Sequence, residues 1–456
     1  MGKYEILPTE ENILAAIEED LLGRNADIGY FYRLLCSYKG FNSIAVDGRW
    51  GSGKTFFVRQ TQLIINAKNR LSSLEEERRQ KILKVFPANE LEQNAENSLI
   101  ALYYDAWEND SDEDPVFSII YEIMGQIQEH YSWGKNRDIL NIVASIIDFF
   151  TGKNVTDIIK SLKSDNLLSE IKERRKIHAR IKDFFSLISN ERANRIVIFI
   201  DELDRCRPSF TVNLLERIKH YFCDERVLFV FSIDALELQH TIRSYYGEGF
   251  DASKYLDRFF DYRLQLPPAN LSKIYDKYGF SNYSRIYELC EKVIKKYSMQ
   301  IRQIYKYYET INLSIIKATN ERDFSDYGMY DGKTKKVLLY YFAPIIIGLH
   351  IANVEKYDRF INGKAEEILL DFVEEDDDWL VKGLLESNES YSDDNGKTIV
   401  SISDKLSCFY HAVFSVSYTH ASDTQIGQYR IDRGTKEFII KITSMLSKYT
   451  DFESIG

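Results

Sequence analysis

Cysteine, histidine and unbroken apolar runs are all scarce in this 456-residue chain, and each shortage closes off a class of function. The five cysteines, at positions 36, 206, 223, 290 and 408, form no C-x-x-C pair and have no histidine at metal-ligand spacing. They read as reduced, mostly structural thiols in a cytoplasmic protein rather than a disulfide framework. The seven histidines are scattered and form no ligand set. The two most apolar stretches, 139–150 and 337–351, fall short of the ~20 residues that a spanning helix needs. Both read as buried helices, so no transmembrane segment is expected. The opening Met-Gly-Lys-Tyr-Glu is not a cleavable leader, and Ile6 stands where a lipidation signal needs Ser or Thr. A net charge of −11 argues against broad nonspecific binding to nucleic acid. The acidic run 374–378 lacks the alternation of a calcium loop and reads as solvated surface, as does the basic run 172–180.

What the chain does have is Gly48-Arg49-Trp50-Gly51-Ser52-Gly53-Lys54-Thr55, which matches the phosphate-binding pattern G-x-x-x-x-G-K-[ST]. The flanks give it the required context. Residues 43–47 read as a short buried strand and 56–65 as a helix. In such a loop the glycines let backbone N–H groups turn onto phosphate oxygens, and the helix N-terminus adds its dipole. Lys54 would reach the β- and γ-phosphates, the Thr55 hydroxyl would bind Mg²⁺, and Phe56 would open the helix beside the nucleotide.

Hydrolysis needs a second element, and residues 196–202, Ile-Val-Ile-Phe-Ile-Asp-Glu, supply one. Five consecutive apolar residues make a central strand of a sheet covered on both faces. Asp201 then emerges at the strand's C-terminal edge, where it can hold the Mg²⁺ water shell, and Glu202 follows on the next pleat to polarise the attacking water.

Together these elements resemble the KAP family of P-loop NTPases, related to the AAA+ and STAND groups. The resemblance rests on the loop with its internal Trp50, on Tyr104-Asp105-Ala106-Trp107-Glu108, on Ile200-Asp201-Glu202-Leu203-Asp204-Arg205-Cys206-Arg207-Pro208, and on Tyr255-Leu256-Asp257-Arg258-Phe259-Phe260 running into Leu264-Gln265-Leu266-Pro267. It implies an α/β core with a parallel five-stranded sheet in the order 5-1-4-3-2, helices on both faces, and a helical C-terminal region. ATP and Mg²⁺ are the implied ligands; no guanine-specifying Asn-Lys-x-Asp occurs. The family pattern also assigns roles to Gly48, Trp50, Gly51, Ser52 and Gly53 in holding the nucleotide and to Ser232, with Asp234 nearby, in sensing the γ-phosphate. Arg258 stands where an arginine finger reaches a neighbouring subunit, with Arg205 as the competitor for that role. Arg302 stands where a second sensor arginine opens a helix. A finger acting in trans implies a homo-oligomer. Asp20-Leu21-Leu22-Gly23-Arg24 resembles the family's adenine-side segment.

The expected organisation is a helical segment over 1–40 contributing to the nucleotide site, with one helix around 9–38. A core follows over 41–267, carrying helical insertions at about 68–98 and 115–190. Pro267-Pro268 ends it. A lid-like helical subdomain spans 268–319, and a helical domain without an assignable role spans 320–456. The resemblance extends to bacterial phage-exclusion proteins and so suggests an anti-phage ATPase working with a separate effector protein. Two other readings stand beside it. One is a nucleotide-gated scaffold with little turnover. The other is an ATP-dependent nucleic-acid sensor using the basic, aromatic stretch 292–308, which the overall acidity disfavours.

Overall fold

The computed structural model describes residues 7–37, 42–87, 98–112, 114–131, 179–189, 193–222, 224–270, 273, 284–316, 332–373, 391–392, 398–399, 401–415, 424–426 and 429–446. The stretch 139–150, most of the basic run 172–180 and the acidic run 374–378 lie outside them. The chain divides into two compact units, Ile6–Lys273 and a second that includes Ile274–Gly456.

In the first unit, five parallel strands form one sheet: β1 (Asn42–Asp47), β2 (Leu99–Asp105), β3 (Arg195–Asp201), β4 (Val227–Ile233) and β5 (Tyr262–Gln265), in the order β2-β3-β4-β1-β5. Every residue of β3 and of β4 is buried, as their apolar runs require of a parallel sheet covered on both sides. The pleat divides these side chains between two cores. Ile196, Ile198, Ile200, Phe229 and Phe231 enter one, while Val197, Phe199, Leu228 and Val230 enter the other with Ile44 and Val46. The second core is roofed by α1 (Glu10–Glu19), α2 (Asn25–Ser37), α3 (Lys54–Lys68) and α4 (Glu76–Val85). The first is covered by α5 (Pro115–Tyr131), a helix over 179–189, α6 (Pro208–Tyr221), α7 (Ala235–Tyr246) and α8 (Ala252–Leu256). The edge strand β5 is mostly exposed.

Two local expectations are corrected. The helix around 9–38 is two helices, because Asp20 turns left-handed at φ 51° and its carboxylate accepts the Asn25 N–H that starts the next one. Glu202 does not continue the pleat of β3. It too is left-handed, at φ 59° and ψ 22°, and turns the chain into a single 3₁₀ turn, Leu203–Arg205.

The second unit is mainly helical, with α9 (Ser284–Lys296), α10 (Ile301–Ile311), α11 (Ala343–Ala352), α12 (Val354–Ile361), α13 (Ile402–Phe414) and α14 (Arg433–Thr443). Two small antiparallel pairs, Tyr391–Ser392 with Thr398–Ile399 and Thr424–Ile426 with Tyr429–Ile431, add to the expected helices. Among the described residues one helical run, Lys333–Ala352, is long and apolar enough to cross a membrane, longer than the expected 337–351, and most of it is buried inside this unit. Its Gly348 admits a close approach of α9, since a Cβ there would stand 2.3 Å from Val293 Cγ1. Within 292–308, Tyr307 and Tyr308 are buried, and the Tyr307 hydroxyl donates to the Pro344 carbonyl at 3.0 Å. These rings are core, unavailable for stacking on bases.

Candidate functional site

Parallel pairing brings the ends of the strands into one line. Asp105 pairs with Asp201, Asp201 with Ser232 and Ser232 with Val46, so three strands end beside the loop that follows β1. In that loop Gly51 and Gly53 take positive φ, 77° and 87°, which a side chain would resist. Gly48 is needed for space: a Cβ there would meet Ser52 Oγ at 2.8 Å and Leu266 Cβ at 3.3 Å. Lys54 opens α3, is buried, and donates to the Gly48 carbonyl at 2.6 Å across the loop. Thr55 and Phe56 follow in the first turn of α3, both half-buried.

Buried groups fasten the loop from several sides. The Trp50 N–H donates to Asp234 Oδ2 at 3.1 Å, and its indole N–H donates to Asp204 Oδ2. Asp234 also caps α7, accepting from the N–H groups of Leu236 and Glu237. Asp47, at the end of β1, accepts from the Ala235 N–H at 3.0 Å and from the Arg263 guanidinium at 2.8 and 3.0 Å. Arg24 is fully buried; its guanidinium donates to the Ser52 carbonyl at 2.9 Å and to the Pro267 carbonyl. Burial lowers its pKa to about 10, with nearby Asp27 opposing. Next to it, Gly23 at φ 62° packs so closely on Asn270 that a Cβ would fall 2.6 Å from Asn270 Cβ.

The carboxylates gather on the other side of the loop. Asp201 is buried; it accepts from the Tyr103 hydroxyl at 3.0 Å and from the Glu202 N–H at 3.0 Å. Glu202 is half-buried and bonds Arg205 Nε at 2.6 Å. Its pKa is pushed up to about 7 by burial and then by the charge of Asp201, with Arg205 pulling the other way. Burial raises Asp204 as well, against the pull of Lys54 and the Trp50 indole. The Arg205 guanidinium lies 5.8 Å from the Trp50 ring centre and 5.5 Å from that of Trp107. Trp107 is set by the turn after β2, where Asp105 accepts the N–H groups of Trp107 and Glu108 at 3.0 Å each.

Three buried oxygens around the loop have no hydrogen-bond partner among the described residues: Ser52 Oγ, Asp204 Oδ1 and Ser232 Oγ. The two orphaned hydroxyls can donate, and beside a buried lysine at the start of α3 they fit a polyoxygen ligand, whereas the Asp204 oxygen is an acceptor and fits a cation or its water. The structure thus brings together the loop residues, Lys54, Asp201, Glu202 and Ser232. It does not bring in Arg258, which is exposed after α8, its carbonyl accepting from Lys219. Arg302 is exposed in α10, in the other unit. Motif reading passes over Tyr103, Asp47 and the bond from Trp50 to Asp204. A signal for Tyr103 exists, since parallel β2 and β3 set residues 103–105 beside 199–201.

The sheet order, the strand–loop–helix at β1 and the carboxylates ending β3 define a nucleotide-binding P-loop NTPase domain. The KAP family P-loop domain matches residues 28–323, well over half of the chain, and the protein belongs to that family. No curated protein matches the chain. Among solved structures it is similar to the Aeropyrum pernix ORC1 protein in complex with DNA, at 15% identity over 89% of this chain and 93% of that one. The TM-score is 0.30, and a superposition that loose carries no argument.

Proposed function

We propose that the protein is a Mg²⁺-dependent ATPase that works as a molecular switch or motor. The observation that carries this is the pair of partnerless buried hydroxyls, Ser52 Oγ and Ser232 Oγ, around a loop whose lysine is spanned across it, with the free Asp204 Oδ1 on the side where a cation would sit. In this reading the loop N–H groups and Lys54 bind the triphosphate, and Thr55 and Asp201 hold the cation. The bound Mg²⁺ would neutralise charge developing on the phosphoryl group. Tyr103 keeps the Asp201 carboxylate oriented, and Glu202 orients water through a carboxylate whose raised pKa makes it a better base than a surface glutamate. Ser232, which pairs in register with Asp201, would report on the terminal phosphate.

Arg258 would serve a neighbouring subunit, so the working form is a homo-oligomer; its exposure fits a role outside its own site. The segments 268–319 and 320–456 would act as lid and as the carrier of specificity, with Arg302 as the lid's sensor arginine. By family analogy the biological setting is cytoplasmic anti-phage defence, with ATP turnover controlling a separate effector.

Steady-state hydrolysis across a concentration series tests the proposal. Turnover per subunit should rise with concentration. Glu202→Gln should lower kcat by about 10²-fold with nucleotide affinity kept. Arg258→Ala should remove the concentration dependence; an Arg258→Ala chain that behaves as wild type rules out Arg258 as the shared finger. One observation favours the second reading, a nucleotide-gated scaffold with little turnover: Glu202 is paired with Arg205. Tight ATP binding with negligible hydrolysis, unaffected by Glu202→Gln, would establish that reading instead.

A further inference from the structure

We infer that Arg205 is a positioning residue for Glu202: the pair fixes the orientation of the carboxylate, and turnover proceeds when the pair opens. The inference rests on the reading of Glu202 as the carboxylate that orients water.

Orienting water requires a carboxylate free to turn its lone pairs toward that water. The Arg205 Nε–H bonds Glu202 Oε2 at 2.6 Å, a short charge-assisted contact that occupies one carboxylate oxygen and fixes the orientation of the other. For the bond to open while Glu202 is still a carboxylate, the Arg205 side chain has to move. Its position is fixed independently of Glu202. The two indoles flank it at 5.8 and 5.5 Å, within the range over which a cation is attracted to a ring face. The backbone contributes as well. Glu202 sits in the left-handed region, and the 3₁₀ turn that follows brings residue 205 back beside it.

The two walls of the clamp differ. Trp50 belongs to the phosphate loop and is pinned at both its backbone and its indole N–H, by Asp234 and Asp204. Trp107 stands on a surface turn and is 54% exposed. Trp107 is therefore the wall that yields, and its displacement frees the arginine without disturbing the loop. This gives Arg205 a role within its own subunit, different from that of a finger serving a neighbour.

The test is steady-state ATP hydrolysis with Mg²⁺ by the full chain, with ATP affinity measured separately by titration. Arg205→Ala should raise kcat by about threefold, the scale set by losing one partly exposed pair. Its affinity for ATP should stay within about twofold of wild type. Trp107→Ala should shift kcat in the same direction by less. The double variant Glu202→Gln with Arg205→Ala should lose the gain, showing that it runs through Glu202. A misfolded variant lowers turnover, so a gain in kcat at unchanged affinity is not a structural side effect. An Arg205→Ala chain that binds ATP normally and is no faster overturns the inference. If Arg205→Ala fails to fold, the absence of a gain in Trp107→Ala overturns it instead. The two readings fail differently. Wild-type turnover that depends on Glu202, with no gain in either variant, removes the clamp alone. ATP binding with no turnover in wild type or any variant removes the hydrolase reading with it.

Discussion

The two sides of the site are built differently. The phosphate loop is held by buried partners from four directions: Arg24 on the Ser52 carbonyl, Asp234 on the Trp50 N–H, Asp204 on its indole and Lys54 across the loop. The Glu202 corner is partly exposed; its backbone is bonded to Asp201 and within its own turn, but its side chain is held by one ion pair, whose arginine has two ring contacts. Redundant buried contacts make a rigid receptor, whereas a few half-exposed ones make an element with more than one accessible arrangement. The contrast suits a protein that grips its ligand in one place and decides what to do with it in another.

Gly48→Ala attacks the rigid side directly. The new Cβ would press on Ser52 Oγ, Leu266 Cβ and the Lys54 chain at 2.8, 3.3 and 3.4 Å. Nucleotide affinity should fall by about tenfold or more, as expected for disturbing the charge-assisted contacts of a lysine; titration with ATP checks it. Unchanged affinity would mean that the loop is softer than its buried contacts imply.

Asp234→Ala should act on stability as well as binding. It removes the cap of α7 and the acceptor for the Trp50 N–H together. A cap alone is worth about 1 kcal/mol, and a unit of this size should lose about 2–4 °C in Tm for each kcal/mol. Thermal unfolding measures it. A drop no larger than that of an exposed cap such as Asp251→Ala would deny Asp234 its second task.

The smallest effect sharpens the contrast from the other side. Glu202→Gly replaces a strained residue by the one type that takes φ 59° freely. It should stabilise the fold by up to about 1 kcal/mol while hydrolysis is lost. Chemical denaturation and turnover, measured on the same sample, check both halves. A destabilised Glu202→Gly chain would show that the Arg205 pair outweighs the backbone strain.

Much of the rigid side is legible in the amino-acid sequence alone. Five apolar residues running into Asp201, and a glycine pattern between a strand and a helix, leave few alternatives, because the physics involved is local or depends only on burial. The parallel order β2-β3-β4-β1-β5 follows from the family pattern rather than from residue chemistry. The corner is where sequence reasoning fails. Alternation along β3 puts Glu202 on the next pleat, but its left-handed turn is set by what the following residues meet, and a strand pattern carries no trace of that. The break in the first helix is hidden for the same reason, since the left-handed Asp20 is tied to Asn25 through its side chain. Tyr103 and the bond from Trp50 to Asp204 depend on strands and loops far apart in the chain, so no local window contains them.

Arg24 has a consequence for where the domain starts. One guanidinium holds the carbonyl of Ser52, in the loop, and that of Pro267, just past the last strand, so the chain's way in and its way out meet at a single cation. The Asn270 N–H bonds the Leu22 carbonyl beside it, closing the ring a second time. The family match begins at residue 28, downstream of this clasp. A shortened protein cut at that point would carry the whole phosphate loop and every strand yet leave both ends unclasped. The smallest self-sufficient core therefore begins upstream of Leu22.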